Sequence, residues 1–106
     1  MPKYLIQASY TAEGLKGLAK DKATGRKAAV SAAMKAVKGK IESFYFSFGA
    51  DDVVLIVDAP DNVAAAAISL SAGASGLVNI RTMPLLTVEE VDQALDLPSK
   101  YRAPGT

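Results

Sequence analysis

The sequence predicts an α+β fold of the split βαβ type, βαββαβ: a four-stranded antiparallel sheet with two main helices on one face, plus a short C-terminal helix. Three observations predict it. The stretch Ile41–Asp58, IESFYFSFGADDVVLIVD, reads as two strands joined by a tight turn at Phe48-Gly49-Ala50-Asp51-Asp52. A strand pattern and then a helix pattern lead into it, with apolar residues recurring first at period two and then at helical spacing. A helix pattern and then a strand pattern lead out of it. The 106 residues leave room for one core and no second one.

The first strand is Tyr4–Tyr10, with Ile6 and Ala8 on one face and Gln7 and Ser9 on the other. Thr11 is a suitable N-cap for a helix over Thr11–Lys38, and Glu13 faces its positive end. Leu15 and Leu18 begin an apolar stripe. Ala23-Thr24-Gly25 weakens the helix, since glycine is costly inside one, and Val30, Ala33, Met34 and Val37 then resume it. Gly39 is expected to stop it.

The second strand is expected over Ile41–Phe48, with Phe44, Phe46 and Phe48 on one side and Ser43, Tyr45 and Ser47 on the other. The third, Asp52–Asp58, carries the run VVLIV, which suits a strand buried on both faces in the middle of the sheet. Pro60-Asp61-Asn62 ends it and supplies caps for an alanine-rich helix over Val63–Ala74, closed by Gly73 and Gly76. AGASG has the composition of a phosphate loop, but it follows a helix and precedes a strand, the reverse of the order such a loop needs. The fourth strand is Leu77–Leu85, with Val78 and Ile80 inward, Asn79 and Arg81 opposite, and Pro84 marking an edge. Thr87-Val88-Glu89-Glu90 is a capping box opening a short helix with Val88, Val91 and Leu95 along one side. Residues 1–96 thus form one domain, and 97–106 a tail that is loose or packed on a neighbouring subunit.

This order is the ferredoxin-like arrangement, with strand order 4-1-3-2. Two helices cover one face of such a sheet. The alternation leaves Gln7, Ser9, Ser43, Tyr45, Ser47, Asn79 and Arg81 on the other, around an apolar middle from the third strand. Polar groups from three strands converge there on a rigid support, which suits binding of a small molecule. Two further readings stand beside it: a wet face of an antiparallel sheet, and a face-to-face contact between two copies with the polar residues lining a cavity.

Composition narrows the chemistry. With no cysteine and no histidine there are no disulfides, no thiolate metal sites and no histidine-based triads. Asp51-Asp52 lacks the ring of oxygen ligands that a hard cation wants and is expected to serve the turn. No metal or cofactor is expected, and no catalytic residue is identified. The net charge of +1 conceals an asymmetry: eight basic residues and one acid between Lys16 and Lys40, then eight acids against three bases from Asp51 onward. A basic face for an anion is one reading; pairing with an acidic region of the same or a neighbouring chain is the favoured one, because no aromatic interleaving supports nucleic-acid contact. The start MPKYLIQASY has neither the basic start nor the apolar run of a signal peptide, and no apolar stretch is long enough for a membrane span, so a cytoplasmic protein is expected.

Four stretches carry a family resemblance: SYTAEGLKGL at Ser9–Leu18, GRKAAV at Gly25–Val30, GKIESFYFSFGADDVVLIVDAPDN at Gly39–Asn62 and SGLVNIRTMPLLTVEEVD at Ser75–Asp92. Over these the sequence resembles the GYD domain family, small bacterial and archaeal proteins named for a Gly-Tyr-Asp motif. That triplet falls here on Gly49-Ala50-Asp51, so alanine stands where the family has its tyrosine. The resemblance implies a ferredoxin-like fold, with Gly49 and Asp51 in turn roles. It implies little about activity, the family being largely uncharacterised. The wider group of dimeric α+β barrels includes small oxygenases that use no metal, an analogy of fold alone. The expected role is therefore a self-assembling ligand-binding or accessory module using the open sheet face. The alternative is a cofactor-independent, oxygenase- or isomerase-like enzyme in which Tyr45 donates a proton and Arg81 stabilises negative charge.

Overall fold

The computed structural model describes all 106 residues. Its elements are β1 (Lys3–Tyr10), α1 (Ala12–Ala36), β2 (Lys40–Phe46), β3 (Val53–Asp58), α2 (Asn62–Ala74), β4 (Val78–Leu85) and α3 (Val88–Asp96). The four strands form one antiparallel sheet in the order β2-β3-β1-β4. This is the ferredoxin-like split βαβ arrangement, with the apolar β3 and β1 central and the proline-bearing β4 at an edge. No helix is long and apolar enough to cross a membrane.

Alternation assigns the two faces. Tyr4, Ile6 and Ala8 of β1 and Val53, Leu55 and Val57 of β3 are buried beneath the helices with Met34, Ala59 and Ala65. Val30, Val37, Ile41, Phe44, Ile68 and Ile80 close round this core. The Tyr4 hydroxyl reaches the top of α2, donating to Asn62 Oδ1 at 2.6 Å, and no buried polar side-chain atom lacks a partner.

Local signals account for the helix ends. Thr11 caps α1 by accepting from the Gly14 amide, Asp61 caps α2 by accepting from Ala64, and Thr87 with Glu90 forms a reciprocal capping box on α3. The end of α1 differs from expectation. The left-handed residue is Lys38 (φ 63°), which together with Gly39 closes the helix in a Schellman motif: Gly39 N donates to Met34 O and Lys38 N to Lys35 O. Gly39 is needed for another reason, since a Cβ there would lie 2.6 Å from both Asp58 O and Met34 Cε.

Three other expectations change. The break in α1 falls at Lys22 (φ 65°, ψ 166°), and Gly25 lies within the second helical segment. Leu15 remains about half exposed, because only the segment after the break lies down on β2 and the core. β2 ends at Phe46, not Phe48. The Ser47 hydroxyl donates to Asp51 O at 2.6 Å and its amide to Asp52 O, which begins the turn and carries Phe48 out of the pleat into full exposure. A bulge between Ile41 and Ser43 also shifts the pairing of β2 with β3.

The molecule is long for its size. Its radius of gyration is 16.8 Å, against about 13 Å for a compact chain of this length, and its extents are 55 × 33 × 22 Å. α3 contributes to this elongation: it has no buried residue and hardly touches the rest of the fold.

Candidate functional site

The face of the sheet away from α1 and α2 is built in rows, because residues paired across antiparallel strands point the same way. Tyr45, Val54, Gln7 and Arg81 form one row across β2, β3, β1 and β4. Ser43, Ile56, Leu5 and Met83 form the next. Ser9 and Asn79 pair one step toward the hairpin. Six of the seven residues named from the sequence therefore share this face: Gln7, Ser9, Ser43, Tyr45, Asn79 and Arg81. Ser47 lies beyond the end of β2, its hydroxyl committed to the turn. At the centre, Leu5, Val54, Ile56 and Met83 make an apolar strip that no helix covers.

Ion pairs bound the strip at both ends. Toward the hairpin, Arg81 Nη2 lies 2.5 Å from Asp51 Oδ2, while Asp52 Oδ2 accepts from the Tyr10 amide at 2.8 Å. Asp51 thus holds a cation of the face as well as serving the turn. Gly49 and Ala50 are exposed, Gly49 does not take a positive φ, and a Cβ on Gly49 would meet nothing, so neither residue shapes the site.

At the opposite end, Lys3 Nζ lies 2.8 Å from Asp58 Oδ1 and 3.0 Å from Glu42 Oε1. Asp58 is only 6% exposed. The hydrogen bond to Asp58, then that to Glu42, raises the Lys3 ammonium above its ordinary 10.5. The same bond from Lys3 holds the Asp58 carboxyl below its ordinary 3.8, against the opposing effect of burial. Neither Lys3 nor Asp58 is assigned a role in the site from the sequence. The signal was present, since Asp58 is in phase with Val54 and Ile56, and Lys3 with Leu5 and Gln7.

Tyr45 and Arg81 are on the same face but on the two edge strands, three strand spacings or about 14 Å apart at the backbone. The Arg81 guanidinium is already engaged by Asp51. A single chain therefore does not assemble the two as a pair acting on one substrate atom. The well-formed hollows lie elsewhere, between the helices and along the sheet edges. No group of three or more acidic, histidine or cysteine side chains gathers as a metal site.

Comparison with known proteins returns no match among curated proteins or solved structures. A family model does match, that of the GYD domain, over residues 4–95; this covers all of the sheet but Lys3 and almost all of α3, and the chain belongs to the GYD domain family.

Proposed function

We propose that the chain is a self-associating binding module whose open sheet face closes against a second copy. Gln7, Ser9, Ser43, Tyr45, Asn79 and Arg81 then line a compartment for a small molecule. The observation that carries this is the uncovered strip Leu5–Val54–Ile56–Met83, apolar at its centre and fenced by ion pairs at both ends. Burying such a strip is favourable at about 25 cal/mol per Å² of apolar surface, and two like faces bury it twice over. The position of the well-formed hollows away from this face also fits, because a second sheet would supply the missing wall.

Sedimentation velocity on the wild type and a Val54→Asp variant tests the association. Val54 points away from the core, so the variant should keep its fold by circular dichroism while association through the sheet face is lost and the associated fraction falls. A wild type that stays monomeric at micromolar concentration, or a variant that associates equally well, sinks the reading. For the ligand, benzoate is a suitable probe, an apolar ring for the strip with a carboxylate for Arg81. It should raise the wild-type Tm and leave that of Arg81→Gln unchanged; equal shifts in both would remove Arg81 from the site.

A further inference from the structure

We propose that α3 is a docking arm which seats in the groove between α1 and β2 of a second copy of this chain. The arm has the composition for it. Val88, Val91 and Leu95 run along one side at helical spacing, all exposed, and Glu89, Asp92 and Asp96 flank them without an ion-pair partner. An amphipathic helix that hardly touches its own fold leaves its apolar side in water, and burial of that side is what a partner would offer.

The groove is complementary in shape and charge. It encloses about 430 Å³ beside Ala23, Ala28, Phe44 and Phe46, and continues past Ser31 toward Lys35 and Ile41. Phe46, at 38% exposure, is an apolar ring open to solvent in its floor. Lys27, Ser31 and Lys35 follow one another along its wall at i, i+4 and i+8, and neither lysine has an ion-pair partner in its own chain. Lys27 and Lys35 stand about 12 Å apart along the axis, and Glu89 and Asp96 about 10.5 Å, at 1.5 Å per residue. The acidic flank thus spans nearly the same length as the basic rim. Glu42, at the far end of the groove, is the one acid there and is bound to Lys3.

The occupant is a second copy because the chain's own arm starts at the wrong edge. α3 leaves from β4, while the groove lies beyond β2, three strand spacings or about 14 Å across the sheet. Leu86 and Thr87, the only residues between β4 and α3, reach at most about 7 Å. This contact uses other residues than the open sheet face and stands whether or not that face closes.

The chain has no cysteine, so introduced ones report cleanly. Ser31 is midway between Lys27 and Lys35, and Val91 is near the middle of α3, so the pair approaches whichever way the helix runs. A Ser31→Cys chain mixed with a Val91→Cys chain under mild oxidation should give a cross-chain disulfide. Adding Glu89→Lys and Asp96→Lys to the second chain should reduce its yield about tenfold, as opposed charges become like ones. Adding Lys27→Asp and Lys35→Asp to the first should restore it. The mixture is repeated with Val54→Asp in both chains, so failure of the sheet face to associate and failure of the arm to dock read out separately. No adduct, an adduct indifferent to charge reversal, or a within-chain disulfide in a doubly substituted protein at nanomolar concentration overturns the proposal.

Discussion

A methyl group on Gly14 would sit 2.0 Å from the carbonyl oxygen of Leu77. That oxygen already accepts from the Thr11 amide at 2.9 Å and from the Thr11 hydroxyl at 3.2 Å, so it cannot move without unpicking the junction of α1 with the start of β4. Gly14→Ala should therefore cost about 2–3 kcal/mol, read as a lower urea midpoint at unchanged slope. The opposite effect is expected at Lys38, whose left-handed backbone (φ 63°) is strained for any residue with a Cβ. Lys38→Gly relieves that strain without losing a buried contact, and should stabilise by about 0.5–1 kcal/mol in the same titration. At neighbouring Gly39 the sequence marked a helix stop, and a stop is there. Its special conformation is one residue earlier, however, and what demands glycine at 39 is the approach of Asp58 and Met34. Such contacts join residues far apart in the chain, and no local pattern announces them.

At the scale of elements, the Lys3–Asp58 pair ties the first residue of β1 to the last of β3 at the sheet's charged end. Asp58 titrates below its ordinary 3.8 in the fold, so its contribution is present above that value and lost as pH falls through the folded pKa. Lys3 titrates above its ordinary 10.5, so its contribution is complete below that value and lost as pH rises through the folded pKa. Stability from this pair is thus full across neutral pH and fades on both sides. Asp58→Asn should lower Tm at about pH 7 and shrink the further fall in Tm between about pH 5 and about pH 2. A variant with the wild-type acid profile would show that the pair carries no net stabilisation. The strands and helices were legible because period two and period 3.6 are strong in VVLIVD, in LIQAS and in the stripe Val30–Val37. Their limits were less so. The alternation of Phe44, Phe46 and Phe48 continues past the point where pairing stops, and only the Ser47–Asp51 bond shows that the turn has begun. The break at Lys22 carries no composition signal, whereas Gly25, which does, sits inside a helix.

For the molecule as a whole, the topology followed from element order, and the open face from alternation. The location of Asp58, the Arg81–Asp51 pairing and the isolation of α3 depended on distances across the fold. That fold buries only 11 of 106 residues. The sheet keeps an apolar strip uncovered, and α3 keeps Val88, Val91 and Leu95 in water. Surface of this kind contributes to stability only once a second chain covers it, so folding and association should be linked. For a dimer that unfolds to two separate chains, a tenfold rise in concentration adds about 1.4 kcal/mol per dimer. Spread over the unfolding entropy of two chains of this length, that raises Tm by about 3 °C. Calorimetry from about 1 to about 100 µM should accordingly show Tm climbing by roughly 6 °C, with Val54→Asp reducing the climb. A Tm that stays constant across that range would mean that the small core suffices for the single chain, and that neither the sheet face nor the arm contributes to its folding.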